Sequence, residues 1–287
     1  MNWERLLKID RRVIFLTMAL AIILPLLFPI RLTMGVQRVT RNLFQAVEAI
    51  DPARQCLLIS TDYTPQTEPE NHPMAKALMR HGFARRVPVL VNALYVEGAP
   101  LIDQAITEVM GDFNARATSR EDSILYGRDI VYLGWQPPPI VPILAMGESI
   151  TGIYPDDYYG NRTDSLEVMR RIRNYADVGI VVAITPLSSP LWYVQFAQTK
   201  YGVKVGAGCT AVCAPDFYPY CATGQLSGMM AGMKGAAEYE ELVEQKYRTG
   251  GRLKATEGMA SQSAAHVLIM VFVILGNVAY FAMRRKS

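Results

Sequence analysis

The chain has 287 residues and a formal net charge of +3, and 51% of its residues are hydrophobic while 19% are charged. This composition excludes an intrinsically disordered chain, because the apolar content is sufficient to bury a core. The small net charge, with basic residues concentrated beside the apolar ends, also argues against a nucleic-acid-binding protein.

Two apolar runs lie at the ends of the chain. Residues 13–30, VIFLTMALAIILPLLFPI, contain no charge and no glycine over 18 positions, and residues 264–283 form a second run of 20. A helix of the first run's length reaches about 27 Å, close to the hydrocarbon thickness of a bilayer. Both runs are predicted to be transmembrane helices that contact the lipid bilayer. The first is predicted to be a retained anchor, because no small-residue cleavage site follows it.

Short basic tails flank the two predicted spans at residues 1–12 and 284–287. Cytoplasmic flanks of membrane helices carry an excess of Lys and Arg, so both termini are predicted to be cytoplasmic. The segment between the spans is then predicted to be extracytoplasmic. Arg31, Arg38 and Arg41 lie on the opposite flank of the first span and weigh against this orientation.

The segment between the spans divides into three parts. Residues 31–51 are predicted to form an amphipathic connecting helix, because apolar residues recur there every three or four positions. Residues 52–245 are predicted to form an α/β domain of a size that suits one core. Residues 246–263 are predicted to be a basic, glycine-rich linker into the second span.

Strands and helices alternate along the predicted α/β domain. Strands are predicted at residues 56–61, 87–95, 129–134, 178–185 and 203–208, and helices at residues 74–81, from residue 100, at 165–175 and at 191–201. This alternation predicts right-handed crossovers and a doubly wound, mainly parallel sheet of the Rossmann-like type. The chain has neither GxGxxG after a strand nor GxxxxGK[ST], so no nucleotide cofactor is predicted.

Acidic residues follow several of the predicted strands. In open α/β sheets, ligands bind beyond the carboxyl ends of the strands, and carboxylates are the ligands that hard divalent cations prefer. The candidate ligand or metal site therefore consists of Asp62, Glu148, Asp156 and Asp157. The alternative is that these are ordinary loop acids and helix caps, because no fixed spacing connects them. The STDYT segment at 60–64 is similar to the DxDxT motif of aspartate-nucleophile phosphatases, but Ser60 replaces the nucleophile, so that activity is not predicted.

The cysteines and histidines carry no recognisable site motif. The spacings of Cys56, Cys209, Cys213 and Cys221 do not match zinc or CxxC redox motifs. One or two disulfides among them are possible if the domain is extracytoplasmic, whereas in the cytoplasm they would act as small apolar fillers. His72 and His81 have no catalytic or metal-ligand spacing to a partner and are predicted to be surface or loop residues.

Small residues recur every four positions in the segment 224–240, GQLSGMMAGMKGAAEYE. In one helix they would form a smooth face at Gly224, Gly228, Gly232 and Ala236, which another backbone could approach closely. This predicted helix-packing interface fits either the protein's own sheet, another copy of the chain, or another membrane subunit.

Three segments carry a resemblance to a known family: IDRRVIF, LISTDYTP and APDFYPYCATGQLSGMMAGMKGAAEYEEL. They resemble a family of prokaryotic two-helix membrane proteins with a Rossmann-like central domain, which implies architecture but no activity. The predicted function is a non-enzymatic, membrane-anchored binding or assembly subunit of a larger membrane complex. The alternatives are a membrane-bound hydrolase or transferase that uses the acids near Asp62 and Asp156, and a small-molecule sensor domain.

Overall fold

A computed structural model of the protein describes residues 10–28 and 35–284, apart from the side chain of Met283. Most of the two predicted basic tails, the last two residues of the first predicted span, and Arg31 lie outside the described residues. The chain forms two compact units. The central unit is Met34–Ala255, and the terminal unit combines Met1–Thr33 with Thr256–Ser287.

Strands and helices alternate within the central unit. The helices of the whole described chain are α1 (Arg11–Leu27), α2 (Arg38–Glu48), α3 (Glu68–Ala84), α4 (Ala99–Asn114), α5 (Ile140–Ala145), α6 (Ile150–Ile153), α7 (189–201, with a π-helical segment at Tyr193–Gln198), α8 (Ala214–Ala222), α9 (Gly232–Tyr247) and α10 (Lys254–Arg284). The strands are β1 (Cys56–Thr61), β2 (Val89–Ala93), β3 (Ile130–Trp135), β4 (Val178–Thr185), β5 (Val205–Cys209) and β6 (Met229–Ala231).

The terminal unit presents apolar side chains to its surroundings. Among the described residues, one helix is long and apolar enough to cross a membrane, Lys254–Ala282, and only 6% of its most apolar window is buried. Helix α1 is described over 17 residues, and its side chains include Phe15, which is 69% exposed, and Leu27, which is 66% exposed. Contiguous apolar surfaces of this kind are rare on proteins in water and are typical of contact with lipid or another protein.

The six strands form one parallel sheet in the order β3-β2-β1-β4-β5-β6. The prediction of a Rossmann-like parallel sheet with flanking helices is confirmed. Strand β4 shows why such strands are recognisable in the sequence: VGIVVAIT is rich in β-branched residues, and seven of its eight positions are buried, as required for a central strand covered on both faces.

The helices cover both faces of the sheet. Helices α2, α3, α4 and α9 pack together on one face. The other face packs against α5, α7 and α8 in a cluster that includes Ile143, Tyr193 and Phe217. Because α3 follows β1 on the first face and α7 follows β4 on the second, the chain leaves these two adjacent strands in opposite directions.

The predicted helical stripe of small residues is wrong. Gly224 is a left-handed turn residue with φ +77°, residues Met229–Ala231 form β6, and α9 begins only at Gly232 with φ +61°. A Cβ atom at Gly228 would lie 2.3 Å from the backbone nitrogen of Leu43. Glycine therefore allows α2 to approach β6 closely, and Gly224, Gly228, Gly232 and Ala236 do not share one helix face.

Three other predictions of secondary structure are also wrong. The segment 165–175 is not a helix but passes through short 3-10 turns at Thr163–Ser165, Val168–Arg170 and Tyr175–Asp177. Helix α3 begins six residues before the predicted residue 74, because Pro69 fits its first turn, where the missing N–H is not needed. The predicted linker 246–263 is mostly helical, since α9 ends at Tyr247 and α10 begins at Lys254.

Candidate functional site

A cleft of about 710 Å³ opens at the carboxyl ends of β1, β2 and β4. Its walls are residues 62 and 64–67 after β1, Tyr95 and Glu97 after β2, and Pro186 and Leu187 after β4. The strand order reverses direction between β1 and β4, so the loops that follow them diverge and leave space between them. The volume lies within the range of small-molecule sites, and we call this space the switch-point cleft.

Asp62 lies at the base of the switch-point cleft, one residue beyond β1. The residue is 2% exposed, and its Oδ2 accepts a hydrogen bond of 2.8 Å from Thr185 Oγ1 at the end of β4. Its Oδ1 is buried and has no hydrogen-bond partner among the described residues. Burial raises the pKa of Asp62 to about 7, although the nearby hydroxyls of Thr185 and Ser189 act to lower it. The carboxyl group can therefore both donate and accept near neutral pH.

Further polar atoms around Asp62 are buried without partners. Within the described part of the chain, Thr67 Oγ1, Ser189 Oγ and Asn71 Oδ1 make no hydrogen bond. Thr67 lines the cleft, and the Asn71 side chain donates a long bond of 3.5 Å to the Thr185 carbonyl. Each unpartnered buried polar atom costs about 1–3 kcal/mol, and such atoms are few in native proteins. Their concentration here marks a place where a bound molecule would complete the hydrogen bonding.

The switch-point cleft has a negative electrostatic character. The described residues that line it include Asp62 and the exposed Glu97 but no Lys, Arg or His. Burial raises the pKa of Tyr95, and the charges of Asp62 and Glu97 raise it further. Helix α3 begins beside the cleft with Glu68 and Glu70 in its first turn, so this helix terminus does not offer the usual uncompensated positive end to an anion.

The structure does not bring the four predicted acids together. Only Asp62 lines the cleft; Glu148 is exposed and accepts hydrogen bonds from Lys200 Nζ at 3.2 Å and Tyr201 Oη at 2.8 Å of α7. Asp156 is exposed in the loop after α6. Across the described ranges, no group of three His, Cys, Asp or Glu side chains is placed to hold a metal ion. The predicted convergence on a divalent cation is therefore wrong, because each acid has its own local environment.

Asp157 organises the loop in which it lies. It accepts hydrogen bonds from Tyr126 Oη at 2.7 Å and from the backbone amides of Tyr159 at 2.9 Å and Asn161 at 2.8 Å. An aspartate that accepts backbone amides two and four residues ahead is a local turn device. The alternative interpretation, an ordinary loop acid, therefore describes Asp157.

Both histidines predicted to be on the surface are buried on α3. His72 is 2% exposed; its Nδ1 lies 3.0 Å from Tyr63 Oη, and its Nε2 has no partner among the described residues. His81 is fully buried and has a partner at each ring nitrogen. Burial lowers the pKa of both histidines to about 4. Every residue from Asn71 to Phe83 is buried, so this part of α3 has no polar face whose periodicity would have indicated the burial of the histidines.

The four cysteines are free thiols, so the structure forms none of the disulfides considered from the sequence. Cys56 and Cys209 are fully buried, and Cys213 and Cys221 are half-buried. Burial raises the pKa of Cys209 to about 12 and that of Cys221 to about 11. A thiol with a raised pKa is a poor nucleophile at neutral pH, so neither residue is an activated cysteine.

Comparison of the chain with protein-family models, with curated proteins and with solved structures found no match. Function is therefore inferred from the residues of the switch-point cleft. A buried carboxyl group close to half-ionisation can hold a ligand through a hydrogen bond or an ion pair, and it can also exchange a proton with a bound molecule. The sequence-based site omitted Thr185, which donates to Asp62, and Thr67 and Ser189, whose buried hydroxyls have no partner among the described residues.

Proposed function

We propose that the protein is a membrane-anchored binding protein whose central α/β domain holds a small ligand in the switch-point cleft. The observation that carries this proposal is the buried Asp62 Oδ1, which has no partner among the described residues and belongs to a residue lining the cleft. Binding is favoured over catalysis because the adjacent Thr185 hydroxyl is already engaged: it donates to Asp62 and accepts from the Leu187 amide at 2.7 Å.

The proposal is tested by ligand-observed NMR on the full-length protein in mild detergent with a library of small polar compounds. We expect compounds whose binding weakens about tenfold or more in Asp62→Asn, since a hydrogen bond to a charged group is worth about 1.5–3 kcal/mol. Glu148→Gln is the matched control, because this acid is exposed and outside the cleft. Binding that is equal in wild type and Asp62→Asn would overturn the proposal.

A membrane-bound hydrolase or transferase is the second candidate, and the pKa of Asp62 favours it. A general acid or base works best when its pKa is near the working pH, and burial raises that of Asp62 to about 7. The two functions are distinguished by recovering each bound compound after incubation. Unchanged compound supports binding, whereas conversion that is lost in Asp62→Asn supports catalysis.

The proposed anchoring uses two spans, α1 and α10, with both termini in the cytoplasm and the central unit outside. The apolar, exposed side chains of both helices and the basic residues around them support this arrangement. Two experiments test it. Alkaline carbonate should leave the full chain in the membrane, and protease added outside intact cells should digest the central unit. Protection of that unit in intact cells but not in inverted vesicles would reverse the orientation.

Association with other membrane subunits or a second copy of the chain is the remaining part of the proposal. Gly276 of α10 supports it, because a Cβ atom there would meet nothing within 4 Å. Small exposed residues of this kind let another helix approach in lipid. We expect a complex or dimer after gentle extraction, and Gly276→Leu should weaken it. A monomer that Gly276→Leu leaves unchanged would contradict this part.

A further inference from the structure

We infer that the ligand of the switch-point cleft is a small organic cation, an amine that carries an apolar substituent. This inference rests on the proposed function, that the cleft binds a small molecule, and it names the chemical class. It follows from three features of the cleft: an acceptor without a donor, a field of negative charge without basic residues, and apolar walls at the entrance.

The unsatisfied acceptor is the first feature. Asp62 Oδ2 already accepts from Thr185, whereas Oδ1 has no partner among the described residues. The hydroxyl oxygens of Thr67 and Ser189 also lack partners within the described residues and can accept hydrogen bonds. An ammonium group carries up to three N–H donors and no acceptor, so it can donate to Asp62 Oδ1 and to the oxygens of both hydroxyl groups. A carboxylate or phosphate ligand offers only acceptors, so it would leave Oδ1 of the ionised Asp62 unpartnered and would be repelled by its charge.

The distribution of charge is the second feature. Asp62 and Glu97 line the cleft, and their charges both raise the pKa of Tyr95, which stands between β2 and the cleft. No basic residue lines the cleft within the described ranges. Opposite charges attract across a few ångströms even when partly exposed, whereas an anion would be repelled by the same residues.

The start of α3 excludes the usual alternative for this fold. In parallel α/β sheets, phosphate groups bind the free amides at a helix N-terminus beside the switch point. Here that turn contains Glu68 and Pro69, and Glu70 Oε2 accepts the Ala211 amide at 2.8 Å. The two carboxylates and the missing proline N–H remove the positive character that an anion needs, so a nucleotide or sugar phosphate does not suit this site.

Apolar walls at the cleft entrance are the third feature. Pro65, Pro186 and Leu187 line it together with Tyr95, and the Leu187 side chain is 52% exposed. Apolar surface removed from water by a ligand stabilises the complex, and an aromatic ring next to a cation adds a favourable electrostatic contact. An amine with an aliphatic or aromatic substituent would place its ammonium group at Asp62 and its apolar substituent against the residues at the entrance.

The test uses the full-length protein in mild detergent and matched probes that share one skeleton. Benzylamine, benzyl alcohol and benzoate present the same ring with a cationic, neutral or anionic group, and a series of aliphatic amines, alcohols and carboxylates extends the panel. Binding is measured by ligand-observed NMR near neutral pH. We expect amines to bind about tenfold or more tightly than the alcohols and carboxylates of the same skeleton, as charge-assisted hydrogen bonds require.

Variants identify the groups responsible. Asp62→Asn keeps the side-chain shape and should reduce amine binding about tenfold or more. Glu97→Gln should weaken it about twofold to fivefold, because an exposed charge is screened by solvent, and added salt should shrink that difference. Glu148→Gln should have no effect. Matching thermal unfolding transitions show that each variant is folded.

Each outcome separates the inference from the proposed function. Suppose that alcohols or carboxylates bind as tightly as the amines, or more tightly, in a way that depends on Asp62. That result overturns the inference that the ligand is a cation, but it leaves the proposed function unchanged. Amine binding that is unchanged in Asp62→Asn also overturns the inference, since the ligand then lies elsewhere. If no member of the panel shows Asp62-dependent binding, the inference fails, and failure of the wider library as well overturns the proposed function.

Discussion

Helix α3 carries a buried histidine near each end, and the two are partnered differently. At the amino edge of the sheet, His81 Nδ1 lies 2.8 Å from Tyr239 Oη and its Nε2 lies 3.2 Å from Glu48 Oε1, while its ring stacks on Phe44. At the carboxyl edge, His72 has a partner at Nδ1, and its Nε2 has none in the part of the chain that the structure describes. Complete hydrogen bonding is typical of a structural network, whereas an unpartnered buried nitrogen is uncommon in native proteins.

Two acids at opposite edges of the sheet repeat this contrast. Burial raises the pKa of Glu48, but hydrogen bonds from Lys246 and Tyr247 and the nearby His81 outweigh it and lower the pKa overall. Lys246 Nζ lies 2.8 Å from Glu48 Oε2. Among the described residues, no cationic side chain lowers the pKa of Asp62, so burial prevails and raises it to about 7. The half-buried Glu48 is satisfied by its cationic neighbour Lys246, whereas the buried Asp62 has no such neighbour among the described residues and favours a cation from outside.

The largest expected effect is on the pH dependence of the unfolding free energy, which should differ in sign between Asp62 and Glu48. Because Asp62 is harder to ionise in the folded state, the folded protein holds a proton that the unfolded chain releases between pH about 4 and about 7. Wild type should therefore lose about 4 kcal/mol of unfolding free energy over this range relative to Asp62→Asn. The measurement is urea unfolding of the full-length protein in detergent at both ends of the range.

The control for this prediction is Glu48→Gln, which should behave in the opposite way. The folded pKa of Glu48 is lowered, so its ionised form contributes stability above its unfolded pKa, and that contribution is lost as the pH falls through the folded value. Glu48→Gln should therefore lose stability at neutral pH relative to wild type. If the unfolding free energies of wild type and Asp62→Asn changed in parallel with pH, burial would not raise the pKa of Asp62.

A smaller effect is expected when the two histidines are replaced at neutral pH, where both are uncharged and the change in unfolding free energy reflects their hydrogen bonds. His81→Leu leaves Tyr239 and Glu48 without their histidine partner and should lower the unfolding free energy by about 3 kcal/mol. His72→Leu strands only the Tyr63 hydroxyl and should cost about 1 kcal/mol. Urea unfolding of both variants in parallel measures the difference. Equal losses would mean that the count of partners does not distinguish the two ends of α3.

The smallest expected effect concerns the ion pair midway along α3. Lys76 is 3% exposed and pairs with Glu108 of α4, which Lys254 also approaches at 3.5 Å. Glu108→Ala leaves a buried ammonium without its acceptor and should cost about 2 kcal/mol, whereas Lys76→Met removes the buried charge and should change stability by less than about 1 kcal/mol. A loss in Lys76→Met as large as that in Glu108→Ala, in the same unfolding assay, would show that the pair itself is strongly stabilising.

Much of the sheet could be predicted from residue patterns because its strands are short, apolar and separated by turn residues. Residues 56–61 and 178–185 are strands with the predicted bounds. Strand β6 was missed because it has only three residues. The helix predicted at 165–175 fails because apolar spacing alone does not ensure backbone hydrogen bonds four residues apart, and the segment adopts 3-10 turns instead.

The candidate site was predictable only in part. Asp62 was found from its position at the end of a buried strand, since parallel strands direct their carboxyl ends to one edge. Thr185 was not identified as its partner, because 123 residues separate it from Asp62 in the chain. Only the register of β1 against β4 brings the two residues together. Glu148 was included wrongly, because nothing in its local sequence shows that Lys200 and Tyr201 of a later helix engage it.

The sequence by itself determined the apolar ends, the alternation of strands and helices, and the parallel α/β class, because length and periodicity are local properties of the chain. Only the tertiary structure decided which acid faces the switch-point cleft, which histidine is fully partnered, and which glycine admits a neighbouring helix. Burial and hydrogen-bond satisfaction depend on residues far apart in the chain, so they exist only once the sheet and its helices have packed.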